Sequence, residues 1–143
     1  MAKTPKFKFL DHRADMFIEA YGRTFPEALE NVAEGLFETI ADSEKLKEKK
    51  KLQIIENAPT LEQLTTYLLN KVVSEGDARE MMFRKLKVGK FSGKEGNYHI
   101  SASISGQEAV HKLGRMYVKA VTHHEANVKH EKGKWTIKIL PDI

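Results

Sequence analysis

The sequence contains no cysteine, so it can form no disulfide framework, no thiolate metal site and no cysteine nucleophile. It also lacks long apolar segments, because no uninterrupted run of hydrophobic residues exceeds three. A membrane-spanning helix needs about 20 such residues, and the basic N-terminus is not followed by the apolar stretch of a secretory signal. We therefore expect a cytoplasmic protein without membrane segments, in which any metal ion is held by oxygen or imidazole ligands.

The familiar catalytic motifs are absent as well. None of the nine glycines falls in a phosphate-binding loop or a dinucleotide fingerprint. The sequence has neither a His-Glu-x-x-His zinc motif nor a Gly-x-Ser-x-Gly nucleophile elbow, and it lacks the paired aromatic residues of an RNA-recognition strand. These absences favour an accessory or binding protein over an ordinary enzyme.

The length and composition of the sequence fit one domain of ordinary size, with 143 residues of which 41% are hydrophobic and 31% are charged.

Two segments have helical periodicity. Thr24 and Thr60 are N-cap candidates, and Glu27 and Gln63 follow three residues later as capping-box partners. The second helix is predicted to end at Gly76. The apolar stripes are Ala28, Leu29, Val32, Ala33, Leu36, Phe37 and Ile40 in the first helix and Leu61, Leu64, Leu68, Leu69 and Val72 in the second.

The other segments alternate apolar and polar side chains with the period of β-strands. Residues 98–105 and 118–128 are predicted as strands, and a Lys132-Gly133 turn joins the latter to a hairpin partner containing Trp135. Shorter strands are indicated at 7–10, 16–21, 52–56 and 82–91. Strands that cluster late in the chain favour a single two-layer α+β domain over residues 1–143, with two main helices and a largely antiparallel or mixed sheet.

Two places are dense in metal-ligating groups. The segment Asp11-His12-Arg13-Ala14-Asp15 connects two short predicted strands, and the sequence ends in Pro141-Asp142-Ile143 after a predicted core strand. If Asp15, Asp142 and the α-carboxylate of Ile143 converge, the three anionic groups disfavour one another unless a cation lies between them. Ca²⁺ or Mg²⁺ suits oxygen ligands, and Mn²⁺ is an option if His12 joins. The alternative is an Asx-turn carboxylate beside a surface histidine.

A third cluster, His123-His124-Glu125, lies within the predicted strand 118–128. Strand alternation sends the two histidines to opposite faces, which predicts His124 as a hydrogen-bonded core residue and His123 as a solvated one.

Two stretches are basic: residues 44–51 contain five lysines, and residues 84–94 contain five basic residues and no acid. They are solvated sheet faces or a surface for RNA, and the RNA hypothesis assigns binding to Arg84, Lys85, Lys87, Lys90 and Lys94.

Several of these segments together resemble the archease family almost from end to end. The resemblance rests on the His-x-Ala-Asp segment at residues 12–15, on Lys-Ala-Val-Thr-His-His-Glu at residues 119–125, and on the terminal Pro-Asp-Ile. Two positions depart from the family pattern, which usually has Thr in place of Arg13 and commonly Tyr in place of His123.

The resemblance implies a small cytoplasmic accessory protein of the RtcB-type tRNA-splicing RNA ligase. Such proteins promote guanylylation of the ligase's active-site histidine and its repeated turnover, and they contact tRNA at most indirectly. The resemblance also implies that Asp15, Asp142 and the C-terminal carboxylate of Ile143 hold a divalent metal, with calcium the first choice. The alternative is an RNA-binding or chaperone module that acts through the basic strand surface.

Overall fold

The computed structural model of this protein describes residues 5–13 and 15–143. Two helices pack on antiparallel sheets, which confirms the predicted two-layer α+β class. Among the described residues the strands form three sheets in the orders β1-β2-β8-β7, β3-β5-β4 and β6-β9. The elements are β1 (Phe7–His12), β2 (Asp15–Gly22), α1 (Phe25–Ile40), β3 (Lys50–Ala58), α2 (Leu61–Arg79), β4 (Met81–Lys94), β5 (Asn97–Glu108), β6 (Ala120–Val121), β7 (Asn127–Glu131), β8 (Lys134–Ile139) and β9 (Pro141–Asp142).

Both helices begin at the predicted threonines. Oγ1 of Thr24 accepts a 3.1 Å hydrogen bond from the amide of Glu27, and Oγ1 of Thr60 accepts one of the same length from the amide of Gln63. The first N–H groups of a helix have no partner within the helix, so these caps satisfy donors that would otherwise need water.

The core lies where the helices meet the sheets. Helix α1 contacts β2 and β8 of the four-stranded sheet and β4 of the three-stranded one, so its apolar stripe joins the two sheets. Leu29 and Leu36 of that stripe, together with Ile18 and Ile137 of the sheet, are completely buried. Burying an aliphatic side chain of this size contributes about 1.5–3 kcal/mol, so the shared stripe is a main source of the stability of the fold.

The second helix runs past its predicted end. It ends at Arg79, and Glu80 takes the left-handed conformation at its C-cap, with its amide bonded to the carbonyl oxygen of Gly76. Gly76 lies within the last turn of α2, where a Cβ would lie 3.2 Å from the carbonyl oxygen of Met81. This glycine marks a close approach between helix and strand, whereas the sequence had indicated a stop.

The late strands are also divided differently from the prediction. The chain between residues 118 and 128 is two strands, β6 and β7, separated by a turn in which the amide of Ala126 contacts the carbonyl of His123. The division follows from pairing, because β6 pairs with β9 and β7 pairs with β8. The predicted Lys132-Gly133 turn is confirmed, and both of its residues have positive φ angles, as the tightest hairpins require.

Candidate functional site

The hairpin between β1 and β2 positions the first predicted ligand. Its register pairs His12 with Asp15 and Asp11 with Met16. Directly paired residues point to one side of a strand pair and their neighbours point to the other. His12 is therefore beside Asp15, whereas Asp11 lies on the opposite face. Arg13 has a φ of 49°, the left-handed conformation of a tight turn, and residue 14 lies outside the described residues.

The C-terminal segment positions the second predicted ligand, Asp142. Strand β9 pairs with β6, with Asp142 opposite Ala120. The amide of Lys119 donates a 2.8 Å hydrogen bond to the carbonyl oxygen of Asp142, and the amide of Thr122 donates a 3.0 Å bond to that of Leu140. These backbone bonds hold the terminal segment against the fold, and Asp142 and Ile143 remain exposed.

The two segments approach each other through β2 and β8. The antiparallel register between these strands pairs Ile18 with Ile139. Asp15 lies three residues before Ile18 and Asp142 three residues after Ile139, both beyond the end of that pairing. Cα atoms of β2 and β9 come within 8 Å of each other. The fold thus directs the start of β2 and the end of β9 toward the same edge.

The donor set at this edge suits a hard cation. Asp15, Asp142 and the carboxylate of Ile143 offer oxygen ligands, which Ca²⁺ and Mg²⁺ prefer, and His12 adds the imidazole option. The hydroxyl oxygen of Thr122, next to β6, is buried without a hydrogen-bond partner in the described part of the chain. Across residues 5–13 and 15–143, no three His, Asp or Glu side chains are grouped to hold a metal ion, so such a site depends on the terminal carboxylate.

Both adjacent histidines are exposed, which was predicted for His123 only, and they differ in their contacts. Nδ1 of His123 lies 2.7 Å from Oγ1 of the buried Thr66, and its ring contacts Tyr67 edge-on at 5.6 Å. The side chain of His124 is 92% exposed and lies 3.8 Å from the carboxylate of Glu125. The prediction of His124 as a core residue is wrong because a turn, and not a continuous strand, carries both histidines.

Strand β2 also carries an interaction that the sequence did not indicate. The hydroxyl of Tyr21 donates a 2.6 Å hydrogen bond to Oε1 of Glu19. Burial, this hydrogen bond and the negative charge of Glu19 raise the pKa of Tyr21 well above its usual value. Lys134 lies over the tyrosine ring at 4.5 Å, which covers the ring with an aliphatic stem and a cation.

The basic strand contains one residue with a structural role. Arg84 donates from Nη1 to the carbonyl oxygens of Leu46 at 2.7 Å and Glu44 at 3.2 Å. Its guanidinium therefore holds the segment before β3 against β4. Lys85, Lys87 and Lys90 are exposed on the same strand.

A sequence profile of the Archease protein family (MTH1598/TM1083) matches residues 7–143. The chain is a member of the archease family. A protein archease of Methanosarcina mazei is 30% identical over 140 residues, which cover 96% of each chain. Another, of Sulfolobus acidocaldarius, is 31% identical over 141 residues, which cover 96% of this chain and 99% of that relative.

Two solved structures share the archease fold of this chain. The solution structure of Methanobacterium thermoautotrophicum protein 1598 has a TM-score of 0.82 at 24% identity, covering 98% of this chain and 100% of that one. The crystal structure of a Thermotoga maritima protein, described as an archease and possible chaperone, has a TM-score of 0.56 at 14% identity, covering 100% and 98%. Within residues 5–13 and 15–143, neither helix is long and apolar enough to cross a membrane.

Proposed function

We propose that this archease is a cytoplasmic, non-catalytic activator of an RtcB-type tRNA-splicing RNA ligase. Membership of the family over residues 7–143 carries the proposal, because the match includes both the hairpin and the C-terminal segment. In the proposed reaction the ligase histidine attacks the α-phosphorus of GTP and pyrophosphate leaves. The reacting groups all belong to the ligase and its nucleotide, and tRNA is contacted at most indirectly.

The edge formed by Asp15, Asp142 and the carboxylate of Ile143 is the proposed metal site. A divalent cation bound there, Ca²⁺ first and Mn²⁺ or Mg²⁺ as alternatives, supplies positive charge that can neutralise phosphate oxygens. The register through Ile18 and Ile139 supports this assignment, since it directs both aspartates toward one edge.

The chain's own residues fix that edge. The β1–β2 hairpin holds Asp15, and the backbone bonds of Lys119 and Thr122 to the terminal segment hold Asp142. Both carboxylates are exposed, so they can reach a partner surface without a rearrangement of the core.

A ligation assay with RNA in large excess over the ligase tests the proposal. We expect one product per ligase without this protein and many with it, and we expect Asp142→Asn to lose the gain. Asp11→Asn is a matched control, because Asp11 belongs to the same hairpin but points to its other face. A product yield that stays at one per ligase with the wild-type protein would refute the proposed function.

A further inference from the structure

The outer face of the three-stranded sheet carries rows of lysine and serine. The opposite face, which contains Ile54, Leu86 and Ile104, is buried in the core. The lysines on the outer face are exposed, whereas Ser105 is covered and only 6% exposed. We call Lys51, Lys85, Lys87 and Lys90, with Ser101 and Ser103 between them, the lysine face. Its cross-strand rows are Lys85–Ser105–Lys51, Lys87–Ser103–Gln53 and Lys90–Ser101–Ile55.

Irregularities of β4 bring three of the lysines to one side. Simple alternation after Lys85 and Lys87 would put residue 89 outside and Lys90 in the core. A register shift between Val88 and Lys90 leaves Gly89 as an extra residue, so Lys90 pairs with Ser101 on the outer face. A second shift, between Phe83 and Lys85, removes residue 84 from the ladder in the same way.

The lysines of this face form no ion pair with the described residues. Across residues 5–13 and 15–143, none of its four lysines has a carboxylate within 4.0 Å. By contrast Lys50 pairs with Glu108 at 3.6 Å. At one end the carboxylate of Glu48 accepts a 2.8 Å hydrogen bond from Ser105. The three lysines of β4 pair with Ser105, Ser103 and Ser101, which are two residues and about 6.6 Å apart on β5, so the bulge lets like charges repeat at a similar interval.

We propose that the lysine face binds the sugar-phosphate backbone of single-stranded nucleic acid without reading its sequence. Lysine ammonium and serine hydroxyl groups are the donors that proteins commonly direct at phosphate oxygens. A protein partner fits less well, because protein interfaces are depleted in lysine and anchored by aromatic residues or arginine. The large apolar side chain beside the lysine face is that of Ile55, which is 62% exposed. The guanidinium of the nearby Arg84 is already bonded to backbone carbonyls.

The lysine face is separate from the proposed metal site. It lies on β3, β4 and β5, whereas Asp15 and Asp142 lie on β2 and β9. Asp142→Asn should therefore leave nucleic-acid binding unchanged, and loss of the lysine face should leave divalent binding unchanged. Failure of either proposal can be recognised without reference to the other.

Fluorescence anisotropy with a labelled 20-nucleotide strand, as RNA and as DNA of the same sequence, tests the proposal over a series of KCl concentrations. Four lysine–phosphate contacts predict a log–log salt slope of about −2.8, or about 50-fold weaker binding at 200 mM than at 50 mM. Equal affinity for RNA and DNA means that phosphates alone are bound. Tighter binding of RNA than of DNA would indicate additional contacts to the ribose 2′-hydroxyl. Either result supports the proposal.

The deciding variant replaces Lys85, Lys87 and Lys90 together by glutamine. We expect at least a tenfold loss of affinity at 50 mM KCl and a slope reduced by about 2. The matched control makes the same charge change at three exposed lysines elsewhere, Lys112→Gln, Lys129→Gln and Lys132→Gln. It should bind within twofold of the wild type.

Three outcomes would overturn the proposal. The first is no binding of either strand at 50 mM KCl, and the second is an equal loss in the two triple variants. The third is binding of poly-glutamate as tightly as RNA, which would indicate an acidic protein partner. Circular dichroism and urea midpoints verify that the variants fold, as we expect because every replaced side chain is exposed.

Discussion

The imidazole Nδ1 of His123 lies 2.7 Å from Oγ1 of Thr66 and joins the turn after β6 to the buried side of α2. Thr66 is 1% exposed, and its hydroxyl also lies 3.2 Å from the carbonyl oxygen of Gln63. If the Thr66 hydroxyl donates its hydrogen to the carbonyl of Gln63, it acts as the acceptor toward His123. Nδ1 of His123 is then the protonated ring nitrogen and donates that hydrogen bond. Since β6 pairs with β9, this contact also supports the strand that carries Asp142.

The two neighbouring histidines should differ in their effect on stability. We expect His123→Ala to lower the free energy of unfolding by about 1 kcal/mol, because it removes one of the two hydrogen bonds of the buried Thr66 hydroxyl. His124→Ala should change it by less than about 0.5 kcal/mol, since its side chain is almost fully exposed. Urea denaturation of both variants measures the difference, and equal effects would contradict the assigned contact.

Divalent cations should stabilise the fold through the two aspartates. A ligand that binds only the native state at a hundred times its Kd adds about 2.7 kcal/mol, so Ca²⁺ should raise the Tm of the wild type. Asp15→Asn and Asp142→Asn should each reduce that rise. Asp11→Asn should retain it, because Asp11 faces away from Asp15. A calcium response that survives in both ligand variants would show that the cation binds elsewhere.

The terminal carboxylate can be tested by changing its position. Adding residues after Ile143 converts the carboxylate into a neutral amide, and deleting Ile143 moves it back by about 3.8 Å. An oxygen ligand must lie about 2.0–2.6 Å from Mg²⁺ or Ca²⁺, so both changes should weaken divalent binding in calorimetry. Unchanged affinity in the extended form would leave Pro141-Asp142-Ile143 with a packing role only.

Tyr21 predicts a particular loss of stability at high pH. Burial, first, and the hydrogen bond to Glu19 raise the pKa of Tyr21, so the folded state keeps a proton that the unfolded state releases above about pH 10. The stabilising contribution is therefore complete below about pH 10 and is lost as the pH rises toward the folded-state pKa. The unfolding free energy of the wild type should fall more steeply above pH 10 than that of Tyr21→Phe. Parallel curves in urea denaturation would refute this.

Local signals were sufficient to predict the helices and most strands. Thr24 and Thr60 cap as their spacing indicates, because a cap depends on residues three positions apart. The Lys132-Gly133 turn forms for a similar reason, since it involves adjacent residues and Gly133 adopts a positive φ without steric cost. Such features require no knowledge of the rest of the fold.

Features that depend on distant partners could not be predicted in the same way. The alternation of residues 118–128 is compatible with one strand, and only the separate partners β9 and β8 divide it and place His124 in an exposed turn. Gly76 marks a close approach of β4 to α2 and not the end of the helix, which only the packing of these two elements shows. The bulge that brings Lys90 beside Lys87 likewise depends on its register with β5.

The two elements that carry the candidate site could be predicted from the sequence. The hairpin around Asp15 and the paired terminal strand are both observed, and the register of β2 with β8 directs them toward one edge. Metal binding by Asp15, Asp142 and Ile143 stays a prediction. The unpartnered hydroxyl of Thr122 was not anticipated, because a lone threonine after a short strand carries no signal in the sequence.

Single-turnover guanylylation of a purified RtcB-type ligase tests the central claim most directly. The rate of transfer of labelled GMP from GTP to the ligase is measured with Mn²⁺ present, over a range of ratios of this protein to the ligase. We predict a faster rate with the wild-type protein and with Asp11→Asn, and none of that gain with Asp15→Asn or Asp142→Asn that have been verified to fold. A rate that the wild-type protein leaves unchanged at every ratio would contradict the account.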